Sequence, residues 1–251
     1  MSTSKHLLPA FPYIQQNGDV DRLHAILSNT SSLDKILILI QYGSKLMNAT
    51  VFKPQTLSTS TAVLTHDTSL FLQKFIISVK ESAIHVKLDN LSAKMGDIRV
   101  FLRLWGLLGM YKHGVRLSQD PPRDPIVRMI SKVQWVIDTI YCPLEATAYL
   151  SSHKILGAKP LTQAKLHLLC CRIFVVHIIF EAVKMFRIRQ LSNGVVDKAW
   201  WDGLISNVAY LPMALHWSNV GGIGLSESMV AVLGTIVGCI EVNKLWHKTT
   251  L

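Results

Sequence analysis

The sequence predicts an all-α chain, an amphipathic helical bundle with a C-terminal transmembrane helical hairpin. Three observations predict it. Apolar residues recur at spacings of three and four along most of the chain, and no stretch of useful length alternates like a strand. Residues 203–242 carry only Glu227 and Glu241 as charges, interrupted by Ser218-Asn-Val-Gly-Gly222.

Composition agrees. The 251 residues are 49% hydrophobic, enough for one sizeable core or two small ones. Lys and Arg number 26 against 16 Asp and Glu, a net charge of +10, yet only 17% of residues are charged, below the roughly 25% usual for soluble domains. With a mean hydropathy of +0.31, the chain fits a protein that meets an anionic membrane. A nucleic-acid binder instead crowds Lys and Arg on a polar surface, and no helix here concentrates them enough. Cys142, Cys170, Cys171 and Cys239 form no C-x-x-C pair. Neither a zinc site nor a disulfide framework is expected, and Cys170 and Cys171 should be reduced and structural. Lys5 and His6 precede only Leu7 and Leu8 before Pro9 and Pro12, so no secretory h-region forms. Membrane attachment is expected from internal segments.

The elements follow in order. Residues 1–117 form an N-terminal helical region. Leu23, Ile26 and Leu27 begin a short amphipathic helix, broken at 29–32, with Ser32 as the expected N-cap of an apolar helix over 33–47. Residues 53–68, rich in Ser and Thr and containing Pro54, predict a loop. A long helix is expected over 70–112, with Gly114 just past its end. Residues 118–125 are a linker, because Pro121, Pro122 and Pro125 cannot continue a helix. Amphipathic helices are expected over 126–192. Ile126, Ile130, Val133, Ile137, Ile140 and Leu144 mark the apolar face of the first, with a kink at Pro143. The second covers 161–189 and ends at Asn193-Gly194. The membrane-embedded hairpin (203–242) and a short basic tail (243–251) close the chain.

Within the N-terminal region, residues 80–105 are the most informative. Ile84, Leu88, Leu91, Met95, Ile98, Leu102 and Trp105 fall on one helical stripe, with Lys87, Lys94, Arg99 and Arg103 beside it and Asp89 and Asp97 among them. Such a helix can lie in the headgroup plane and expand one leaflet. The same heptad spacing also permits a bundle seam. Phe101, Leu104, Leu107 and Leu108 widen the apolar surface at its end, which favours insertion.

In the hairpin, the second arm (223–242) is 20 residues long and spans ~30 Å as a helix, about one hydrocarbon core. The first arm (203–217) reaches only ~22 Å and contains Pro212. Trp200, Trp201, Trp217 and Trp246 mark the arm ends as an interfacial belt would. Lys184, Arg187, Arg189 and Lys198 before the pair, with Lys244 and Lys248 after it, put both flanks on the cytosolic side. Gly234 and Gly238 form a G-x-x-x-G spacing, which suits either a contact between two copies or packing on the hairpin's own partner. Residues 166–186 are ambiguous. Twelve Leu, Ile, Val or Phe favour insertion by roughly 0.3–0.6 kcal/mol each, but Arg172, Glu181 and Lys184 oppose it by up to ~3 kcal/mol each near the centre. That segment reads as an amphipathic helix in the interface or in a bundle.

No catalytic constellation is visible, so an enzyme is not expected, nor a cofactor or metal. Ser151-Ser-His-Lys154 matches S-x-x-K without the elements that accompany it in serine acyl enzymes. His167 and His177 read as bundle residues.

Four stretches resemble the peroxin 11 family (peroxisomal biogenesis factor 11), in its fungal form. They are L-D-K-I-L-I-L-I-Q-Y-G-S-K-L (33–46), D-I-R-V-F-L-R-L-W-G-L-L (97–108), Y-C-P-L-E (141–145), and the C-terminal apolar segment with its basic tail. The resemblance implies a peroxisomal membrane protein that elongates the membrane and promotes peroxisome proliferation and division. It implies that 80–105 is the membrane-remodelling helix and that the chain self-associates. It further implies delivery by the import receptor peroxin 19 and contact with a dynamin-related fission GTPase and its adaptor. A pore for small metabolites lined by Arg172, His177 and Glu181 is the alternative, and a soluble helical adaptor with 203–242 as buried core is a third.

Overall fold

Local chemistry sets most helix boundaries in the computed structural model, which describes residues 18–52 and 84–249. Helix α1 covers Gly18–Leu27 and α2 covers Thr30–Met47, followed by one π turn, Asn48–Phe52. Asn29, rather than Ser32, caps α2: its Oδ1 accepts the backbone N–H of Ser31 at 3.0 Å and of Ser32 at 3.1 Å. Helix α3 covers Ile84–Leu102 and passes through a 3₁₀ turn, Arg103–Trp105, into α4, Gly106–Gln119. Helix α5 is Pro125–Ser152, α6 is Pro160–Leu191, α7 is Lys198–Trp217 and α8 is Glu227–Lys248. Among the described residues there is no strand, and the fold is all-α.

The structure revises several expected boundaries. The loop expected over 53–68 and the start of the helix expected at 70 lie outside the described residues. That helix does not stop before Gly114. It tightens at Arg103–Trp105 and continues to Gln119. Gly114 sits inside α4 because the Trp135 ring presses against it; a Cβ there would lie 2.7 Å from the indole. Helix α5 opens on Pro125 with Asp124 as its N-cap, accepting from Ile126 N (3.1 Å) and Val127 N (2.9 Å), and runs on through Pro143. The second arm of the hairpin starts at Glu227, with Ser226 Oγ accepting from Met229 N at 3.2 Å. Residues 223–226 belong to the turn, in which Gly221, Gly222 and Gly224 all take positive φ.

The helices close a ring. Going round it, α3 packs on α2, α2 on α8, α8 on α7, α7 on α6 and α6 on α5, and α5 meets the 3₁₀ turn and α3. Ile38, Tyr42, Met213 and Val230 form a buried apolar cluster joining α2, α7 and α8, with Trp217, Leu225 and Leu233 packed on it. Arg22 of α1 stacks over Trp246 of α8 at 5.1 Å.

Among the described residues two helices are long and apolar enough to cross a membrane, α6 at 32 residues and α8 at 22. Helix α7, the expected first arm, is not one of them. Trp200, expected at the interface, is instead buried, donating Nε1–H to the Met185 carbonyl at 3.0 Å. Helix α6 is the unexpected member. Leu169, Val176, Ile179, Val183 and Phe186 form an exposed apolar face along it. Glu181 and Lys184 pair with each other and turn toward Gln134 of α5, which donates to Glu181 and accepts from Lys184, both at 2.9 Å. Arg172 stays near the surface, reaching the Ser218 carbonyl in the α7–α8 turn at 3.3 Å.

Candidate membrane-contacting surface and internal cavity

The expected stripe on α3 divides into two rows. Ile84, Leu91 and Trp105 are exposed and Ile98 is half-buried, whereas Leu88, Met95 and Leu102 lie half-buried in the alternate row. One helix therefore provides an outward apolar row and contributes a second to the bundle, which is what a heptad repeat on a helix at the edge of a bundle permits. The cations divide too. Lys87 is exposed, and Lys94 is exposed with Asp97 at 3.8 Å. Arg99 and Arg103 point inward.

The outward apolar row continues past the expected end of the helix. Phe101, Trp105, Leu108, Tyr111 and Val115 follow at spacings of 4, 3, 3 and 4, all exposed, with exposed Lys112 and Arg116 beside them. Tyr111, Lys112, Val115 and Arg116 were not among the residues expected to meet lipid. Tyr111 and Lys112 lay within the helix expected over 70–112 but beyond the stripe read over 80–105, and Val115 and Arg116 lay past the expected helix end.

Arg99 and Arg103 belong to a part-buried network. Arg99 Nε donates to Asp34 Oδ1 at 3.0 Å and its Nη1 to Gln41 Oε1 at 2.7 Å. Arg103 forms a fork on Glu145, Nη2 to Oε1 at 2.7 Å and Nε to Oε2 at 3.0 Å, and the Tyr141 hydroxyl donates to Glu145 Oε1 at 2.7 Å. Burial works against the Arg103 charge, but the hydrogen bonds and charge of Glu145 with its neighbours outweigh it, so its pKa is raised. Burial, with Glu145 adding to it, pushes the Tyr141 phenol well up. Asp34, the two arginines, and Tyr141 with Glu145 come from three different stretches that carry the family resemblance, and they converge on one side of the ring.

That network lines a cavity of ≈ 960 Å³ bounded by α2, α3, α5, α6 and α7. The rest of the wall is mostly apolar and aromatic, including Ile38, Tyr42, Val100, Phe174, Tyr210 and Trp217. Farther along, His177 Nδ1 lies 2.8 Å from Asp138 Oδ1. Of the three residues expected to line a pore, His177 lines this cavity and Arg172 and Glu181 do not.

Within the chain Gly234 and Gly238 pack on α2 rather than on the hairpin partner. A Cβ at Gly234 would sit 2.2 Å from the Tyr42 ring, and one at Gly238 would sit 2.8 Å from Leu39 Cα. Ser151 is fully buried, whereas Lys154 is exposed beyond the helix end. Among the described residues no group of three His, Cys, Asp or Glu side chains is placed to hold a metal ion.

Comparison with known proteins fits this architecture. The chain is 28% identical over 191 residues to an uncharacterized protein of Schizosaccharomyces pombe, covering 72% of this chain and 93% of that protein. No solved structure matches. The family model described as Peroxisomal biogenesis factor 11 (PEX11) matches residues 68–199, just over half of the chain. The chain belongs to the peroxisomal biogenesis factor 11 family, membrane proteins of the peroxisome that act in its proliferation.

Proposed function

We propose that this chain curves the peroxisomal membrane by laying the outward surface of α3 and α4 into one leaflet, while α6 and α8 hold it in the bilayer. The observation that supports this most is the continuous exposed row on α4 and the turn before it. Trp105 is 70% exposed, Leu108 68% and Tyr111 72%, with Lys112 and Arg116 alongside. A contiguous apolar patch of this kind marks a contact surface. Trp and Tyr suit the headgroup level, and each cation near an anionic surface contributes roughly 1 kcal/mol, less in high salt. Self-association, delivery by peroxin 19 and recruitment of a dynamin-related GTPase with its adaptor belong to the same reading. A wedge that stretches one leaflet concentrates curvature where copies gather, and the fission machinery then acts on the narrowed membrane.

The test uses the full chain reconstituted in anionic vesicles, with Leu108→Asp combined with Tyr111→Asp. A charge in apolar surroundings costs several kcal/mol, so tubulation should fall sharply while the variant still pellets after alkaline carbonate extraction. Undiminished tubulation would remove α4 from the mechanism. Loss of pelleting would show that this surface anchors the chain rather than shaping the bilayer.

A further inference from the structure

We infer that the cavity inside the helix ring binds a single-chain zwitterionic amphiphile, a lysophospholipid-like molecule with a phosphate and a quaternary ammonium. Three features of the wall lead there. Its volume of ≈ 960 Å³ lies at the upper end of the roughly 300–1,000 Å³ of small-molecule sites, enough for one chain and a headgroup. Its apolar part, with Val100, Ile173 and Phe174 among the lining side chains, gives an acyl chain an apolar surface to pack on.

The charged part selects the headgroup. Arg99 and Arg103 face Asp34 and Glu145, two guanidiniums against two carboxylates, and the third carboxylate of the wall, Asp138, lies 2.8 Å from His177 Nδ1. An anionic headgroup would meet no unpaired cation, and a cationic one no carboxylate without a partner. Either would bury an unmatched charge, which is costly. A zwitterion adds one charge of each sign to a cluster already made of both. Arg103 Nη1 comes no nearer than 3.8 Å to Asp34 and so keeps a donor for a phosphate oxygen. Tyr42, Tyr210 and Trp217 line the same wall, and aromatic rings are what attract a quaternary ammonium. Membrane location supplies such amphiphiles at high local concentration. The site is separate from the outward face of α4, so its failure would leave the wedge untouched.

The experiment uses the full chain in mild detergent and lysophosphatidylcholine carrying a photoactivatable group on its acyl chain. Labelling should saturate at one probe per chain and map to Val100, Ile173 or Phe174. Unlabelled lysophosphatidylcholine should compete at least tenfold better than oleate or sphingosine of matching length. Ala148→Trp, which fills the cavity from α5, should weaken labelling at least tenfold with unchanged helical content. Glu145→Gln adds one positive charge to the wall and should raise the relative affinity for oleate. Labelling that does not saturate, or that maps to the outer face of α6 at Leu169, Val176 or Ile179, would overturn the site even if a variant fails to fold. Preference for oleate or sphingosine by the unaltered chain would overturn the zwitterion assignment.

Discussion

Gly238 gives the sharpest test of how the ring is closed. A methyl group there would lie 2.8 Å from Leu39 Cα and 3.0 Å from Leu39 N, both backbone atoms of α2, so relief requires the two helices to separate. Overpacking a well-fitted contact costs about 1–3 kcal/mol, and replacing a mid-helix Gly by Ala recovers up to ~1 kcal/mol. The expected net effect of Gly238→Ala is therefore a loss of about 1–2 kcal/mol, roughly 5- to 30-fold in the folded fraction. Gly109, inside α4, has nothing within 4 Å of its virtual Cβ. Gly109→Ala should gain up to ~1 kcal/mol from propensity alone. Both are read from the midpoint of loss of the helical circular-dichroism signal in mild detergent, so the two glycines should shift it in opposite directions. If Gly238→Ala is neutral or stabilising, the α2–α8 contact does not run through this residue. If it instead abolishes chemical crosslinking between copies without moving the midpoint, the glycine spacing works between chains, as the bare sequence allowed.

Glu145→Ala leaves the Arg103 guanidinium and the Tyr141 hydroxyl without their acceptor. Because Arg103 is partly exposed, the loss should fall below the 3–5 kcal/mol of a fully buried pair, at about 2 kcal/mol, and Arg103→Met with Glu145→Leu should restore part of it in the same unfolding assay. Asp124 joins two helices as well as capping one: Arg187 Nη2 donates to its Oδ2 at 2.7 Å, and that hydrogen bond, with those from Val127 and Ile126, holds its carboxyl below the usual carboxylate range. A carboxylate whose folded pKa is depressed adds stability in full above its unfolded value of about 3.9, and that stability fades as pH falls through the lower folded value. The midpoint difference between the unaltered chain and Asp124→Asn should thus be constant at neutral pH and shrink below about pH 4; a difference independent of pH would show that the carboxylate charge contributes nothing.

The helices and the linker prolines were legible in the sequence because each is a local property, written in spacing and in residues that cannot extend a helix. What was not legible involved distant partners. Gly114 reads as a helix end until Trp135 is known to lie against it. Gly234 and Gly238 read equally well as a contact between copies until Leu39 and Tyr42 fill the groove. Arg99 and Arg103 have the spacing of headgroup-facing cations, and only the positions of Asp34 and Glu145, 65 residues before one and 42 after the other, turn them inward.

Helix α6 shows the same limit in energetic form. Summed as isolated side chains, Glu181 and Lys184 nearly cancel the apolar gain of their segment. In the ring they face each other and Gln134, so their charges are shared among hydrogen-bonded partners, and the helix leaves Leu169, Val176, Ile179, Val183 and Phe186 exposed instead. The insertion penalty belongs to a helix entering the bilayer alone. It falls when α5 and α6 are already docked, because the pair is then satisfied before it meets hydrocarbon. On this argument a crossing by α6 is favoured when the bundle is docked, and Gln134, an uncharged residue on a neighbouring helix, contributes to that preference by satisfying both charges.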